Sequence, residues 1–302
     1  YYMFFKKYMS LIKGIYAASM SVLNENLTLN VAKTIKHAER AIDEGCHGAA
    51  MFGSTGQAQL IPVSEKIELL NHLTKSKYKA KFIIGTGLNS LGETINLMRV
   101  AKSLDFKKFL IMPPAFYKFD DKDVINYYTK IIEAIPESEI VLYNFEKLCG
   151  YKFSLECVRE LVRIFPQQII GVKDSSYNLY ENLKLDNFSV LPGSESKLLK
   201  GLELGCSGVI TATCNVTCKL ARKVYDDFFK KKKQTVNQKL CDVRNAFEKY
   251  NLISALHSYY SKNDIIYKNV LPPLSILNFK DEKKFIDNLE KLNFSTKPTM
   301  EA

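Results

Sequence analysis

The chain has 302 residues, 46% of them apolar and 25% charged, which fits a soluble globular protein with volume for a large core. Lys, Asp or Asn interrupts every apolar stretch well short of the roughly 18–20 residues a membrane helix needs, so no membrane partner is expected. The net charge of +11 is densest at Lys230 to Lys233, yet zinc-finger spacing, RNP-like aromatics and a basic region with heptads are all missing; nucleic acid is not expected as a partner, and the charge serves at most to attract small anions.

Tyr1 to Ser10 carry Lys6 and Lys7 and are followed by no small-residue cleavage pattern, so no secretory signal is expected there. Beyond them, short β-branched or apolar runs recur, each followed by a stretch of helical periodicity, the signature of parallel βα units. In chain order the runs are Gly14 to Met20, Gly48 to Phe52, Lys81 to Thr86, Lys108 to Met112, Glu139 to Tyr143, Gln168 to Lys173, Phe188 to Leu191 and Gly208 to Thr211. Val31 to Glu44 typifies the helices, with Ala32, Ile35, Ala38 and Ile42 apolar at three- and four-residue steps. Eight repeats in about 220 residues predict a (β/α)8 TIM barrel better than an open doubly wound sheet. After it, Lys219 to Lys232, Val236 to Tyr260 and Glu282 to Leu292 read as helices, with Pro272-Pro273 breaking the chain between the last two. The expected organisation is a barrel core over residues 10–215 and a C-terminal helical extension of the same domain over 216–302.

The seven cysteines are scattered without a C-x-x-C pair, which predicts buried free thiols in a reducing, cytoplasmic setting. Cys214 and Cys218 have a spacing that suits a metal, but the four histidines form no matching cluster, so no metal site is expected.

Side chains at the C-terminal ends of barrel strands face one mouth, where chemistry is done. Lys173 ends the apolar run Ile169-Ile170-Gly171-Val172. A lysine is seldom buried without a reason, and desolvation favours the neutral amine, a nucleophile able to form a Schiff base with a ketone. A solvated lysine at a strand end is the alternative. Tyr143 ends the neighbouring strand and offers a phenol for proton transfer, or else an aromatic core plug. Ser54 and Thr55, between Gly53 and Gly56, suit either a carboxylate-binding turn or an ordinary helix N-cap. No phosphate loop or dinucleotide fingerprint is present, and no cofactor is expected.

These residues sit in motifs that, from Ile12 to about Leu277, resemble the dihydrodipicolinate synthase/N-acetylneuraminate lyase family of class I aldolases. The motifs are Gly53-Ser54-Thr55-Gly56 with Leu60 and Glu65, Tyr143-Asn144 with Gly150, Gly171-Val172-Lys173-Asp174-Ser175-Ser176, Gly193-Ser194-Glu195, and Gly205 and Gly208 before Asn215. The resemblance implies a homotetramer or dimer of dimers that acts on pyruvate or another 2-oxo acid and an aldehyde. It makes Lys173 the imine-forming lysine, Tyr143 the proton relay and Thr55 a further catalytic residue. Ser54, Thr55 and Gly53 would hold the pyruvate carboxylate, with Ser175, Gly193, Glu195 and Ile210 among the other substrate contacts.

Where synthases of this family place an arginine for the semialdehyde carboxylate, the chain has Leu148, and no proline follows Asn144 in Phe145-Glu146-Lys147. In Pro114-Ala115-Phe116-Tyr117, Phe116 stands in ungapped alignment where synthases place a tyrosine that crosses the subunit interface, and a one-residue slip restores Tyr117. Ala212 and Ser196 replace the serine and glutamate of neuraminate lyases. The pattern leans to a 2-keto-3-deoxy sugar acid or similar substrate, with condensation of pyruvate and aspartate semialdehyde as the alternative. A catalytically silent 2-oxo-acid-binding barrel is the third reading.

Overall fold

The computed structural model describes residues 11–294; Tyr1 to Ser10, expected to carry no secretory signal, lie outside them. Eight parallel strands run in chain order as β1 (Gly14–Ala18), β2 (Gly48–Met51), β3 (Phe82–Gly85), β4 (Lys108–Ile111), β5 (Glu139–Asn144), β6 (Ile169–Asp174), β7 (Ser189–Pro192) and β8 (Gly208–Thr211). Each pairs with its sequence neighbour from β1 to β7, and β8 pairs with β1. The Ser207 N–H donates to Val190 O at 2.9 Å across the remaining seam, so the sheet is a nearly closed (β/α)8 barrel. Gly208 (φ +147°) lies against β1 so closely that a Cβ would sit 1.9 Å from Gly14 O; only glycine fits there.

The helices are α1 (Val31–Asp43), α2 (Val63–Leu73), α3 (Leu91–Ser103), α4 (Asp121–Ala134), the single turn α5 (Glu146–Cys149), α6 (Leu155–Ile164), α7 (Leu198–Glu203) and α8 (Cys214–Phe229), followed by α9 (Asn237–Glu248), α10 (Leu252–Ser261) and α11 (Phe279–Lys291). Six of them, α1, α3, α4, α6, α10 and α11, start at a side-chain cap. Asn30 accepts from Lys33 N before α1, and Asp120 with Asp123 forms a capping box on α4, satisfying amides that a helix start leaves unpaired. Strand alternation sends Ile140 and Leu142 outward to the helices and Val141 and Tyr143 inward. Inside the barrel, Ala50, Ile83, Leu110, Ile170, Leu191 and Ile210 pack together.

Two elements and one cysteine differ from the sequence reading. The segment 236–260 is two helices, because the Asn251 side chain accepts from Ile253 N and Ser254 N and starts α10 afresh. No helix lies between β6 and β7; the connection is instead held by Asp174, whose carboxylate accepts from the backbone N–H groups of Tyr177, Leu179 and Tyr180, each at 2.9 Å. Cys241 is half-buried, while the other six cysteines are buried, and all seven are free. The C-terminal helices share a core with the barrel mouth, where Met20 and Ala212 pack with Phe247 and Phe285. No helix of the described residues is long and apolar enough to cross a membrane.

Candidate active site

Lys173 reaches the barrel interior through an irregularity in β6. Ile140 pairs with Ile169, but Val141 pairs with Gly171, so Ile170 is an extra residue between them. Such a bulge changes which face the following side chains use. Ile169 faces the helices, Ile170 turns inward, Val172 faces the helices again, and Lys173 falls on the inner face opposite Tyr143. Uninterrupted two-residue alternation from Ile169 would have put Lys173 outside. Gly171 makes the bulge fit against β7, since a Cβ there would lie 2.6 Å from Ser189 O.

Lys173 is 3% exposed. Its Nζ lies 4.1 Å from the centre of the Tyr143 ring, and among the described residues no carboxylate pairs with it. An amine so placed, beside an aromatic face and without a carboxylate partner among the described residues, can attack a carbonyl carbon that enters the barrel mouth. The Tyr143 hydroxyl lies 3.0 Å from Ser54 Oγ, which brings the turn after β2 onto the same spot. Thr55 is buried beside Ser54. At Gly53 a Cβ would meet nothing within 4 Å, so that side of the turn is open space.

One residue further along, Asn144 pairs with Asp174. The Asn144 Nδ2 donates to Asp174 Oδ1 and to Asn178 Oδ1, both at 2.8 Å, while its Oδ1 accepts from Phe153 N at 3.1 Å. Burial pushes the Asp174 carboxyl above the usual carboxylate range, and the backbone N–H and Asn144 bonds pull it back. This pair, both members wholly buried, clamps β5 to β6 directly behind Tyr143 and Lys173. Asn144 and Asp174 both stand in the sequence motifs, each directly after a predicted catalytic residue, but their pairing with each other was not expected.

The other expected contacts divide. Ser175 and Gly193 touch, since a Cβ on Gly193 would lie 2.2 Å from Ser175 Oγ, and Ile210 is in the interior cluster. Glu195 is elsewhere. Its carboxylate accepts from Thr211, Thr213 and Thr217 hydroxyls at 2.7, 2.6 and 2.9 Å and pairs with Arg244 of α9 at 3.3 Å. With 0% exposure, it is taken up in joining β7 and β8 to α9, which leaves it no face for a substrate. Phe116 and Tyr117, the two candidates on the loop after β4, are 91% and 80% exposed, and Leu148 is 44% exposed.

A cavity of about 350 Å³ is lined by Tyr143 and Ser54 together with Leu148 and Phe116, within the size range of small-ligand sites. Among the described residues no cluster of three or more His, Cys, Asp or Glu is placed to hold a metal.

A parallel barrel with a buried lysine and a phenol at its C-terminal mouth has the layout of a (β/α)8 enzyme site. The model of the dihydrodipicolinate synthetase family matches residues 11–292, and the chain belongs to that family. A protein of Chloroflexus aurantiacus described as an uncharacterized DapA-like lyase is 30% identical over 62% of this chain and 64% of its own length; the aligned part therefore spans just under two thirds of that relative. The pyruvate complex of a chloride-inhibited dihydrodipicolinate synthase from Acinetobacter baumannii shares the fold, with a TM-score of 0.86 and 23% identity over 94% of this chain and 100% of that one. A catalytic-lysine mutant of the Ruminococcus gnavus sialic acid aldolase does so with a TM-score of 0.82 and 18% identity over 93% and 95%.

Proposed function

We propose that the chain is a Schiff-base-forming class I aldolase or lyase that takes pyruvate as its 2-oxo acid, with Lys173 as the covalent catalyst. The observation that supports this reading is the placement of Lys173 Nζ 4.1 Å from the Tyr143 ring in a buried site without a counter-ion among the described residues. In this scheme the Lys173 amine attacks C2 of the 2-oxo acid, and loss of water with uptake of one proton gives a protonated imine that serves as electron sink. Ser54, Thr55 and the open turn at Gly53 hold the carboxylate, and Tyr143, linked to Ser54 Oγ at 3.0 Å, moves protons to and from the reacting oxygen and carbon.

In the cleavage direction the C4 hydroxyl gives up its proton, the C3–C4 bond breaks into the imine, and an aldehyde leaves. Protonation of C3 and hydrolysis then return pyruvate and Lys173. Leu148 offers no charge to a semialdehyde carboxylate, which favours cleavage of a 4-hydroxy-2-oxo acid over the synthase reaction. The keto-deoxy sugar acid reading is weakened by the withdrawal of Glu195 into its pair with Arg244. Exposed Phe116 and Tyr117 beside the site fit a homotetramer or dimer of dimers, and the free cysteines fit a cytoplasmic location.

Borohydride reduction in the presence of pyruvate, followed by peptide mapping, tests the central step. The adduct is expected on Lys173. An adduct on another lysine, or none on the folded protein, rejects the reading.

A further inference from the structure

The cavity beside Tyr143 carries information about the other half of the substrate. Among the described residues its lining contains no Asp, Glu, Lys, Arg or His. Its apolar lining includes Met112, Phe116, Leu148, Ile253 and Leu274, with Leu88. The polar residues present are largely engaged with the protein itself. Gln57 receives Leu271 N at 2.8 Å and meets His257 Nε2 at 3.3 Å. Gln59 Nε2 donates to Gly87 O at 2.7 Å, and Asn89 Oδ1 accepts from Ala115 N at 2.8 Å. Ser54 and Tyr143 are bonded to each other and belong to the pyruvate end.

A polyhydroxylated chain entering this space would surrender several water hydrogen bonds and regain few, and each unreplaced bond costs binding. A chain bearing an ammonium and a carboxylate would fare worse, because no charge faces it. Lys147, the nearest cation in sequence to Leu148, is exposed and does not line the cavity. An alkyl or aryl group would instead cover the apolar side chains that make up most of the wall.

We infer that the substrate is a 4-hydroxy-2-oxo acid whose C4 carries an apolar alkyl or aryl group, so that the aldehyde formed or consumed is apolar, with Leu148, Ile253 and Leu274 as its specificity-determining wall. This rests on the pyruvate-aldolase reading above. The reaction is R–CH(OH)–CH2–CO–COO⁻ giving R–CHO and CH3–CO–COO⁻, with the hydroxyl proton transferred to C3 and no other reactant consumed.

The test is the rate of pyruvate-consuming condensation with 3-methylbutanal, benzaldehyde, glyceraldehyde and aspartate semialdehyde, run beside pyruvate–borohydride trapping on Lys173. One of the apolar aldehydes should exceed both polar ones in kcat/KM by about tenfold or more, the discrimination a hydrophobic pocket ordinarily supplies. Leu148→Arg and Leu274→Gln should each lower the apolar rate about tenfold, and Leu148→Arg should raise the semialdehyde rate, while trapping with pyruvate persists. A preference for glyceraldehyde or the semialdehyde with trapping intact overturns the apolar wall and leaves the aldolase. An order of preference unchanged in both variants also overturns it. Absence of trapping rejects the aldolase and this inference together.

Discussion

Tyr143 and Lys173 stand opposite each other in register on β5 and β6, both on the barrel's inner face, because Ile170 is an extra residue in β6. The bulge sits three residues before Lys173, so a single inserted residue decides whether the amine faces the barrel interior or the surrounding helices. Directly behind, the Asn144–Asp174 hydrogen bond at 2.8 Å fixes the spacing of the two strands at the mouth.

Removing the Tyr143 hydroxyl while keeping its ring should separate proton transfer from packing. Tyr143→Phe is expected to lower kcat by roughly 10²–10⁴-fold, the usual contribution of a positioned acid–base group, and to leave imine trapping on Lys173 nearly intact. Near-normal turnover in the variant would assign the relay to another group.

The fit of the bulge depends on Gly171. A Cβ there would sit 2.6 Å from Ser189 O on β7, and that contact is with backbone, which cannot swing away. Gly171→Ala should therefore destabilise the fold by about 1–3 kcal/mol, as overpacking in a dense core does, and should lower kcat more than it changes KM by moving Lys173 relative to Tyr143. Urea unfolding together with steady-state kinetics checks both; a variant of normal stability and rate would show that β6 has slack at this point.

The contrast between Lys173 and Glu195 shows what was legible in the sequence. An apolar strand ending in lysine announces itself, and so do the neighbouring Tyr143 and the Gly53-Ser54-Thr55-Gly56 turn. The phase of that strand is hidden, because Ile169 and Ile170 are equally suited to either face and only backbone pairing reveals which one is extra. Glu195 follows a strand end just as Lys173 does, yet its partner Arg244 lies 49 residues away with no local pattern joining them. Likewise the break before α10 was marked by Asn251 ahead of Leu252-Ile253, a cap signal overridden by the long apolar periodicity around it.

Lys66 is a second lysine with little water around it. It is 1% exposed on α2, lies 5.9 Å from the centre of the Phe52 ring, and burial pulls its amine down to about 8 from 10.5. Because the folded value is below the unfolded one, the unfolded chain binds more protons between these limits and stability rises with pH across them. The burial cost is thus fully present below pH 8 and fades towards pH 10.5. Lys66→Met should stabilise by about 1–3 kcal/mol at pH 7 and by little at pH 10.5, measured by denaturant unfolding at the two pH values. An equal gain at both would mean that packing, not charge, is responsible.

Acid should loosen the site from the other direction, through His257. Its Nδ1 lies 2.7 Å from Tyr267 O and must carry the proton, so Nε2 is left to accept from the Gln57 amide at 3.3 Å. Gln57 in turn follows Ser54, Thr55 and Gly56 and receives Leu271 N, so this contact ties the proposed carboxylate-binding turn to the C-terminal segment. Burial lowers His257 to about 4, and His37, between Tyr267 OH and Asn215 Oδ1, to about 3. Both folded values lie below the ordinary 6.5, so the unfolded chain takes up protons first as pH falls. Stability from these two groups is therefore complete above pH 6.5 and declines from there towards pH 4 and 3. Protonation of His257 would also set its Nε2–H against the Gln57 amide hydrogen. His257→Gln, which cannot charge, should show a smaller fall in Tm between pH 7 and pH 4.5 than the parent chain, even though its Tm at pH 7 is lower. If the two chains lose the same number of degrees over that interval, His257 does not govern the acid response.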